Sequence, residues 1–373
     1  MRYRSTTCLL LALSAVSGLA LPAAAQTPFG PPVPLIAEEP CGRSGSPQGA
    51  GLAGGGAVVV WRTAPEVGSA FLEAQPLDAE GRPEAPAVPL DAPLDPQEWR
   101  LAAGPLSWAV AWEAAAGGTF AARVFGLDRQ PLGPVVPLGG TGNSLRALAA
   151  GPDGSYLALI SDEPDLRVVR FESDGTVQDD FALTVAQEFL FTLEATATIH
   201  ALGGSYVGYL LQDIRTLDNE PYVIEGVQNP SLPVVGPRRE IPGAHGLDLA
   251  SLPDGRLAAV YQDATERLVL DVMAADLALE ESYPLEPDTE PGLVFPRFPR
   301  LAVGPDGTIA VLWGQPFRTS VGTVESRRVL QTVDPDRGPV GEPVPIGAFE
   351  RDDVLTSVAE QAFVAPGRVA VLW

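Results

Sequence analysis

The sequence predicts an all-β fold: a seven-bladed β-propeller of four-stranded antiparallel blades, the last of them incomplete. Three observations predict it. A hairpin unit recurs about every 50 residues, a proline falls at a regular place in most units, and the strands are apolar on both faces.

Taken in order, the chain opens with Arg2 and Arg4, an apolar run from Cys8 to Leu21, and the small residues Ala23-Ala24-Ala25 before Gln26. This is the pattern of an export signal cleaved near Ala25/Gln26. The run is shorter than the roughly 20 residues of a membrane span. Residues 26–373 are then the propeller domain, expected to be secreted or periplasmic.

The hairpins are recognised by their second strands: Ala57–Trp61, Trp108–Trp112, Tyr156–Ile160, Tyr206–Leu210, Leu257–Tyr261, Ile309–Trp313 and Val369–Trp373. Their last residues are 51, 48, 50, 51, 52 and 60 positions apart, and five of the seven are Trp or Tyr. The repeats start near 49, 101, 147, 198, 248, 300 and 359. Their turns share a pattern, as in Gly151-Pro152-Asp153-Gly154 and Gly304-Pro305-Asp306-Gly307. Asp-Gly between apolar runs is a hairpin signal, because glycine supplies the positive φ of a tight turn.

A third apolar stretch follows, for example Phe120–Asp128 or Leu268–Ala274. A fourth then carries proline, in Val88-Pro89-Leu90, Val136-Pro137-Leu138, Tyr283-Pro284-Leu285 and Val344-Pro345-Ile346. Proline has no N–H to give a ladder, so this strand is read as the outer edge of its blade. Ile309, Val311 and Trp313 alternate with Ala310 and Leu312, and both sets are apolar. Both faces must be covered, as they are when a blade lies between two others. At the ends, Pro31–Ile36 reads as a closing strand for the last blade. That blade has only two strands of its own before Trp373, which predicts either a defective blade or a chain shortened by roughly 15–25 residues.

The chain has 47 acidic residues against 24 basic ones, all arginine, for a net charge of −23. Such a charge repels nucleic acid and anionic membranes, and both are excluded as partners. Cys41 is the one cysteine of the mature chain, so no internal disulfide forms and stability comes from packing.

The run Ala109-Val110-Ala111-Trp112-Glu113 … Ala122-Arg123-Val124-Phe125-Gly126-Leu127-Asp128 … Pro131-Leu132-Gly133-Pro134 … Val136-Pro137-Leu138 resembles a repeat of bacterial extracellular proteins. That repeat has the pattern VVAW-E-S … RxFDxxGxPLGxxFxVN and occurs in large secreted or surface proteins, mostly without an assigned activity. The resemblance is clear in residues 101–138 and fair in 301–346. It implies a propeller and export, and transfers no catalytic motif. Asp306-Gly307 does not match a sialidase-type Asp box, which spaces its Asp and Gly two apart.

The chemistry-bearing residues are few. There are two histidines, His200 and His245, and no HExxH, paired cysteines, phosphate loop or nucleophile elbow. His245 precedes an inner strand and is a candidate for the central channel. Acidic clusters precede three inner strands: Asp91, Asp95 and Glu98; Glu286, Asp288 and Glu290; Glu350, Asp352 and Asp353. Sharing one face, they would form an acidic funnel able to hold Ca²⁺ or supply an acid/base pair for sugar chemistry. A solvated acidic rim is the simpler reading, and no dedicated metal or cofactor is assigned. Arg100 and Arg300 occupy the same place in two repeats, and Arg146, Arg297 and Arg351 lie near it in theirs. Such arginines could clamp a carboxylate with Trp99 as a stacking platform, or pair with acids to join blades. The reading that results is an exported, non-enzymatic module or scaffold for a protein or glycan ligand. The alternative is a propeller hydrolase or lyase acting on a carbohydrate or lactone through loop carboxylates.

Overall fold

The computed structural model describes residues 16–17, 47–53, 55–63, 69–90, 98–115, 119–139, 144–151, 153–162, 165–183, 197–202, 206–211, 222–228, 234–241, 245–285, 297–304, 306–318, 324–349, 361–365 and 368–371. It is an all-β propeller of four-stranded antiparallel blades. β1 (Val16–Ser17) comes first in the chain, and the blades follow in order. They are β2 (Gln48–Gly51), β3 (Ala57–Thr63), β4 (Phe71–Leu77) and β5 (Val88–Pro89); β6 (Trp99–Ala103), β7 (Ser107–Ala115), β8 (Thr119–Gly126) and β9 (Val136–Gly139); and β10 (Ser144–Ala150), β11 (Tyr156–Asp162), β12 (Asp165–Phe171) and β13 (Val177–Leu183). Then come β14 (Ala197–Leu202), β15 (Tyr206–Leu211), β16 (Tyr222–Gln228) and β17 (Val234–Ile241); β18 (His245–Ser251), β19 (Leu257–Gln262), β20 (Leu268–Met273) and β21 (Leu279–Leu285); and β22 (Arg297–Val303), β23 (Ile309–Arg318), β24 (Val324–Asp334) and β25 (Gly338–Phe349). β26 (Gln361–Ala365) and β27 (Arg368–Val371) end the series. Strands within each four-stranded sheet pair in chain order, a meander built from three hairpins.

The first turn of a blade is more specific than a two-residue loop. In three blades Gly154, Gly255 and Gly307 donate to the carbonyls of Gly151, Leu252 and Gly304, three residues back. Gly151, Leu252 and Gly304 in turn donate to Ser155, Arg256 and Thr308 across the turn. This is a type I turn with a glycine bulge, and Gly154 and Gly307 sit at φ of +85° and +84°. The preceding Asp153, Asp254 and Asp306 each accept a hydrogen bond from the backbone N–H two residues on, so the side chain fixes the turn its glycine permits.

The proline-marked stretches are outer strands, as read from the sequence. Pro89, Pro137, Pro284 and Pro345 lie in β5, β9, β21 and β25, opposite Glu73, Ala121, Val269 and Val329. Each of these strands has one paired side, and proline leaves no stray donor on the other.

The core lies between blades. Ile309, Ala310, Val311, Leu312 and Trp313 are all exposed by 1% or less, so both faces of β23 are covered. Val58, Val60 and Leu72 pack with Trp108, Val110 and Trp112 of the next blade, and Val260, Leu270 and Val272 pack with Val311, Trp313 and Val329. The inner strands lie side by side in the order β2, β6, β10, β14, β18, β22, β26, and β26 lies back against β2.

The blade count departs from the expected seven. Five four-stranded blades have described core side chains: β2–β5, β6–β9, β10–β13, β18–β21 and β22–β25. β14–β17 repeats the meander in its backbone, and the last sheet has three strands in the order β1-β27-β26. The third place in that sheet is filled by Val16 and Ser17, opposite Val369 and Arg368. These two residues belong to the apolar run read as an export signal. The physical reason is the free edge of β27, whose backbone groups pair with an extended segment within reach. The closing strand expected at Pro31–Ile36 lies outside the described residues, as does Cys41.

Candidate functional site

The polar residues of the inner strands form the most organised polar array in the molecule. Gln48, Arg100, Asp248 and Arg300 stand opposite Val60, Ala111, Val260 and Leu312, in each case the residue just before the closing aromatic of the second strand. They therefore occupy one register position in four blades. An inner strand has an unpaired edge, and its N–H and C=O groups need partners. The preceding blade supplies them.

Gln48 accepts from Leu101 N at 2.8 Å and donates through Nε2 to Trp99 O at 2.9 Å. Arg100 Nε donates to Arg146 O at 2.9 Å, and Nη1 donates to Trp99 O at 2.8 Å. Glu98 Oε2 accepts from Leu145 N at 2.7 Å. Asp248 Oδ2 accepts from Leu301 N at 2.8 Å, and its Oδ1 accepts from Leu249 N at 3.1 Å. Most of these bonds run from one inner strand to the next, so blades are joined edge to edge as well as face to face.

The electrostatics differ along the ring. Burial pushes the Asp248 carboxyl above the usual Asp range, with Arg300 and the two backbone donors pulling it partly back. Arg328, on β24, is 8% exposed; burial lowers its guanidinium pKa, and the nearby positive charge of Arg300 lowers it further. Arg300 therefore has an acid and a second guanidinium within Coulombic range.

Arg100 and Arg146 are brought together, but through the Arg146 carbonyl rather than as two converging guanidiniums. Trp99 is not an open stacking platform: it is 6% exposed and packs with Val60, Leu72, Leu90 and Trp112 between the first two blades. Its apolar ring fills the gap between the sheets, where the hydrophobic gain is largest. His245 begins β18 opposite Gln262, and Arg297 begins β22 opposite Gly314; their side chains lie outside the described residues. Arg351 lies outside them too, as do all members of the three acidic clusters except Glu98. Among the described residues no three His, Cys, Asp or Glu side chains are grouped to hold a metal ion, and no helix is long and apolar enough to cross a membrane.

The sequence reading missed a second register position, in the middle of the third strand. Gln75, Asp271 and Gln331 stand opposite Val59, Ala259 and Val311. Gln75 Nε2 donates to Pro76 O and Ala85 O at 2.8 and 2.5 Å. Gln331 Nε2 donates to Thr332 O and Val340 O at 3.0 Å. Asp271 accepts from Tyr261 Oη at 3.0 Å and Ser282 Oγ at 2.7 Å, and pairs with Arg239 of the preceding sheet at 3.3 Å. The signal was a single polar residue inside an apolar run, as in Leu268-Val269-Leu270-Asp271-Val272-Met273.

No protein-family description matches the chain, and no curated protein matches it. Several solved structures resemble it in fold. A Kuenenia stuttgartiensis hydrazine synthase has a TM-score of 0.45 at 13% identity, over 66% of this chain and 73% of that one. A protein of unknown function from Bacteroides caccae has a TM-score of 0.46 at 12% identity, over 78% and 94%. The fucose-specific lectin of Aleuria aurantia has a TM-score of 0.43 at 13% identity, over 82% and 97%. At such identities the likeness concerns the fold alone.

Proposed function

We propose that this chain is an exported β-propeller that binds a protein or a glycan and performs no reaction of its own. Ligand recognition falls to the loops on the face where each outer strand leads into the next inner strand. One observation carries the reading: four described polar groups on or beside the inner strands, Gln48, Glu98, Arg100 and Asp248, are committed to the backbone of the neighbouring blade. Carboxylates tied to backbone donors serve as joints between blades, and the scaffold they stiffen is suited to presenting loops. The resemblance of residues 101–138 to a repeat of secreted bacterial proteins supports export.

The test is a glycan array and an affinity capture with the purified, exported chain, followed by incubation with the ligands found. Saturable binding without product is the expected result. Release of a hydrolysed or eliminated product would overturn the reading in favour of a carbohydrate or lactone hydrolase or lyase. Mass spectrometry of the exported chain should find Gln26 at its N-terminus; a chain that keeps residues 1–25 would contradict export with cleavage.

A further inference from the structure

The second blade, β6–β9, carries three exposed leucines where other repeats carry polar or small residues. Leu106 follows Gly104-Pro105 at the first turn, the place of Asp153 after Gly151-Pro152 and of Asp306 after Gly304-Pro305. At the turn between the third and fourth strands, Arg129 N donates to Gly126 O, as Gly175 N donates to Glu172 O and Leu277 N to Ala274 O. That pattern sets Leu127 at the place of Ser173 and Ala275. Leu132 N donates to Val124 O as Glu84 N donates to Pro76 O, so Leu132 stands where the first blade has Glu84.

The three leucines form one patch. Leu106 precedes Ser107 and Leu127 follows Gly126, and Ser107 and Gly126 stand opposite one another in the hairpin. Leu132 reaches back to the same point: its Cδ2 lies 3.3 Å from the position a Cβ on Gly126 would take. Leu106, Leu127 and Leu132 are 78%, 41% and 46% exposed. Asp153, Asp254 and Asp306 hold their turns with side-chain hydrogen bonds, which a leucine cannot make. The fold therefore gains nothing from leucine at these places. Exposed leucines scattered singly are ordinary, whereas three grouped at one end of a blade mark a contact surface.

The patch is flanked by acids on both sides. Glu84 of the first blade reaches Arg129 at 2.7 Å, and Gly104 lies against Ala150 and Tyr156 of the third blade. Glu80, Glu84, Asp128, Asp153 and Asp174 are exposed on the turns of these three blades at this end. Arg82, Arg129 and Arg170 offset only part of that charge. Hydrogen bonds from the Thr176 backbone and hydroxyl hold the Asp174 carboxyl below the usual Asp range, so it stays ionised. We propose that this end of the second blade docks a basic polypeptide. Its apolar side chains seat on Leu106, Leu127 and Leu132, and its lysines or arginines face the surrounding carboxylates. An apolar centre with a charged rim is the ordinary anatomy of a protein contact. A second copy of this chain would bring its own acids against these, and an anionic membrane would be repelled. The surface lies on the face opposite the loops assigned to ligand recognition above, and it stands without that reading.

The test titrates the purified full chain into a fluorescent amphipathic peptide of leucine and lysine. Two control peptides accompany it: the same pattern with glutamate in place of lysine, and oligolysine. Fluorescence anisotropy should show the leucine–lysine peptide binding more tightly than either control. Leu106→Asp, Leu127→Ser and Leu132→Glu install the residues of other repeats and add negative charge. Combined in one chain they should weaken the peptide about tenfold, the loss of leucine burial, with the melting temperature unchanged. Leu106→Asp alone, at the most exposed of the three, should weaken it in the same direction. Leu279→Ser, on β21 of another blade, should leave it unchanged. Affinity equal or higher in both leucine variants would overturn the surface, because charge alone would then account for binding. Failure of the unmodified chain to bind the peptide would overturn it too. Equal affinity for either control peptide would overturn the choice of a partner both basic and apolar. Sedimentation that finds the unmodified chain dimeric and the triple variant monomeric would give the patch to a second copy instead.

Discussion

Asp248 shows how one register position does opposite things in different repeats. Gln48 fills the same place with a neutral amide, and Arg100 and Arg300 fill it with a cation. Asp248 alone puts a negative charge there, and burial holds its carboxyl above the usual 3.8. The sign follows directly. Between 3.8 and the raised folded value, the native state keeps a proton that the unfolded chain has already lost. Stability therefore falls as pH rises through that window, and the penalty is complete above it. Asp248→Asn retains an acceptor for Leu301 N without the charge. Its urea midpoint at pH 7 should lie above that of the unmodified protein, with the difference vanishing below pH 3.8. A difference that is the same at pH 7 and pH 3 would show that the carboxyl is not strained by burial. The position of Asp248 could be read from the repeat; its burial could not, because burial depends on how closely the next blade approaches.

At the scale of the element, the interface between two blades joins an apolar layer to single polar bonds. Ser107 and Tyr156, from neighbouring blades, are hydrogen-bonded at 2.7 Å and exposed by 2% and 0%. Burial pushes the Tyr156 hydroxyl up to about 12, with the Ser107 and Gly104 partners opposing. Ser107→Ala and Tyr156→Phe should each cost about 1–2 kcal/mol, and the double variant should cost less than the two together. Strict additivity in urea unfolding would mean that the bond contributes nothing. Asp271 is the more sensitive joint, since it is 1% exposed and receives Tyr261, Ser282 and Arg239. Removing its carboxylate in Asp271→Ala strands Arg239 and Tyr261, and should cost about 3–5 kcal/mol by the same measurement. Gly133 marks a tighter approach. A Cβ there would meet Asp174 O of the next blade at 2.1 Å, so Gly133→Ala should lower the melting temperature by pushing two blades apart, and an unchanged melt would contradict the contact. The apolar half of these interfaces was legible, because Trp61, Trp112 and Trp313 recur in step with the repeat. The polar half was not, since Ser107 and Tyr156 lie 49 residues apart and neither stands out within its own strand.

At the scale of the whole molecule, every inner strand touches the next and β26 returns to β2, so no blade has a private core. Unfolding followed by tryptophan fluorescence and by far-ultraviolet circular dichroism should give coincident transitions, because opening one interface exposes the faces of two blades. Two separated transitions would indicate blades that melt independently, as in a linear array. The sequence by itself determined the repeat, the strand order within a blade and the outer edge, because each depends on local pattern: alternating apolar residues, Asp-Gly turns and proline without a donor. Only the tertiary structure decided which polar side chains bridge blades and that Trp99 is buried between the first two. Those outcomes depend on distances between segments about fifty residues apart or more, and such distances are set by how sheets pack, which no single strand encodes.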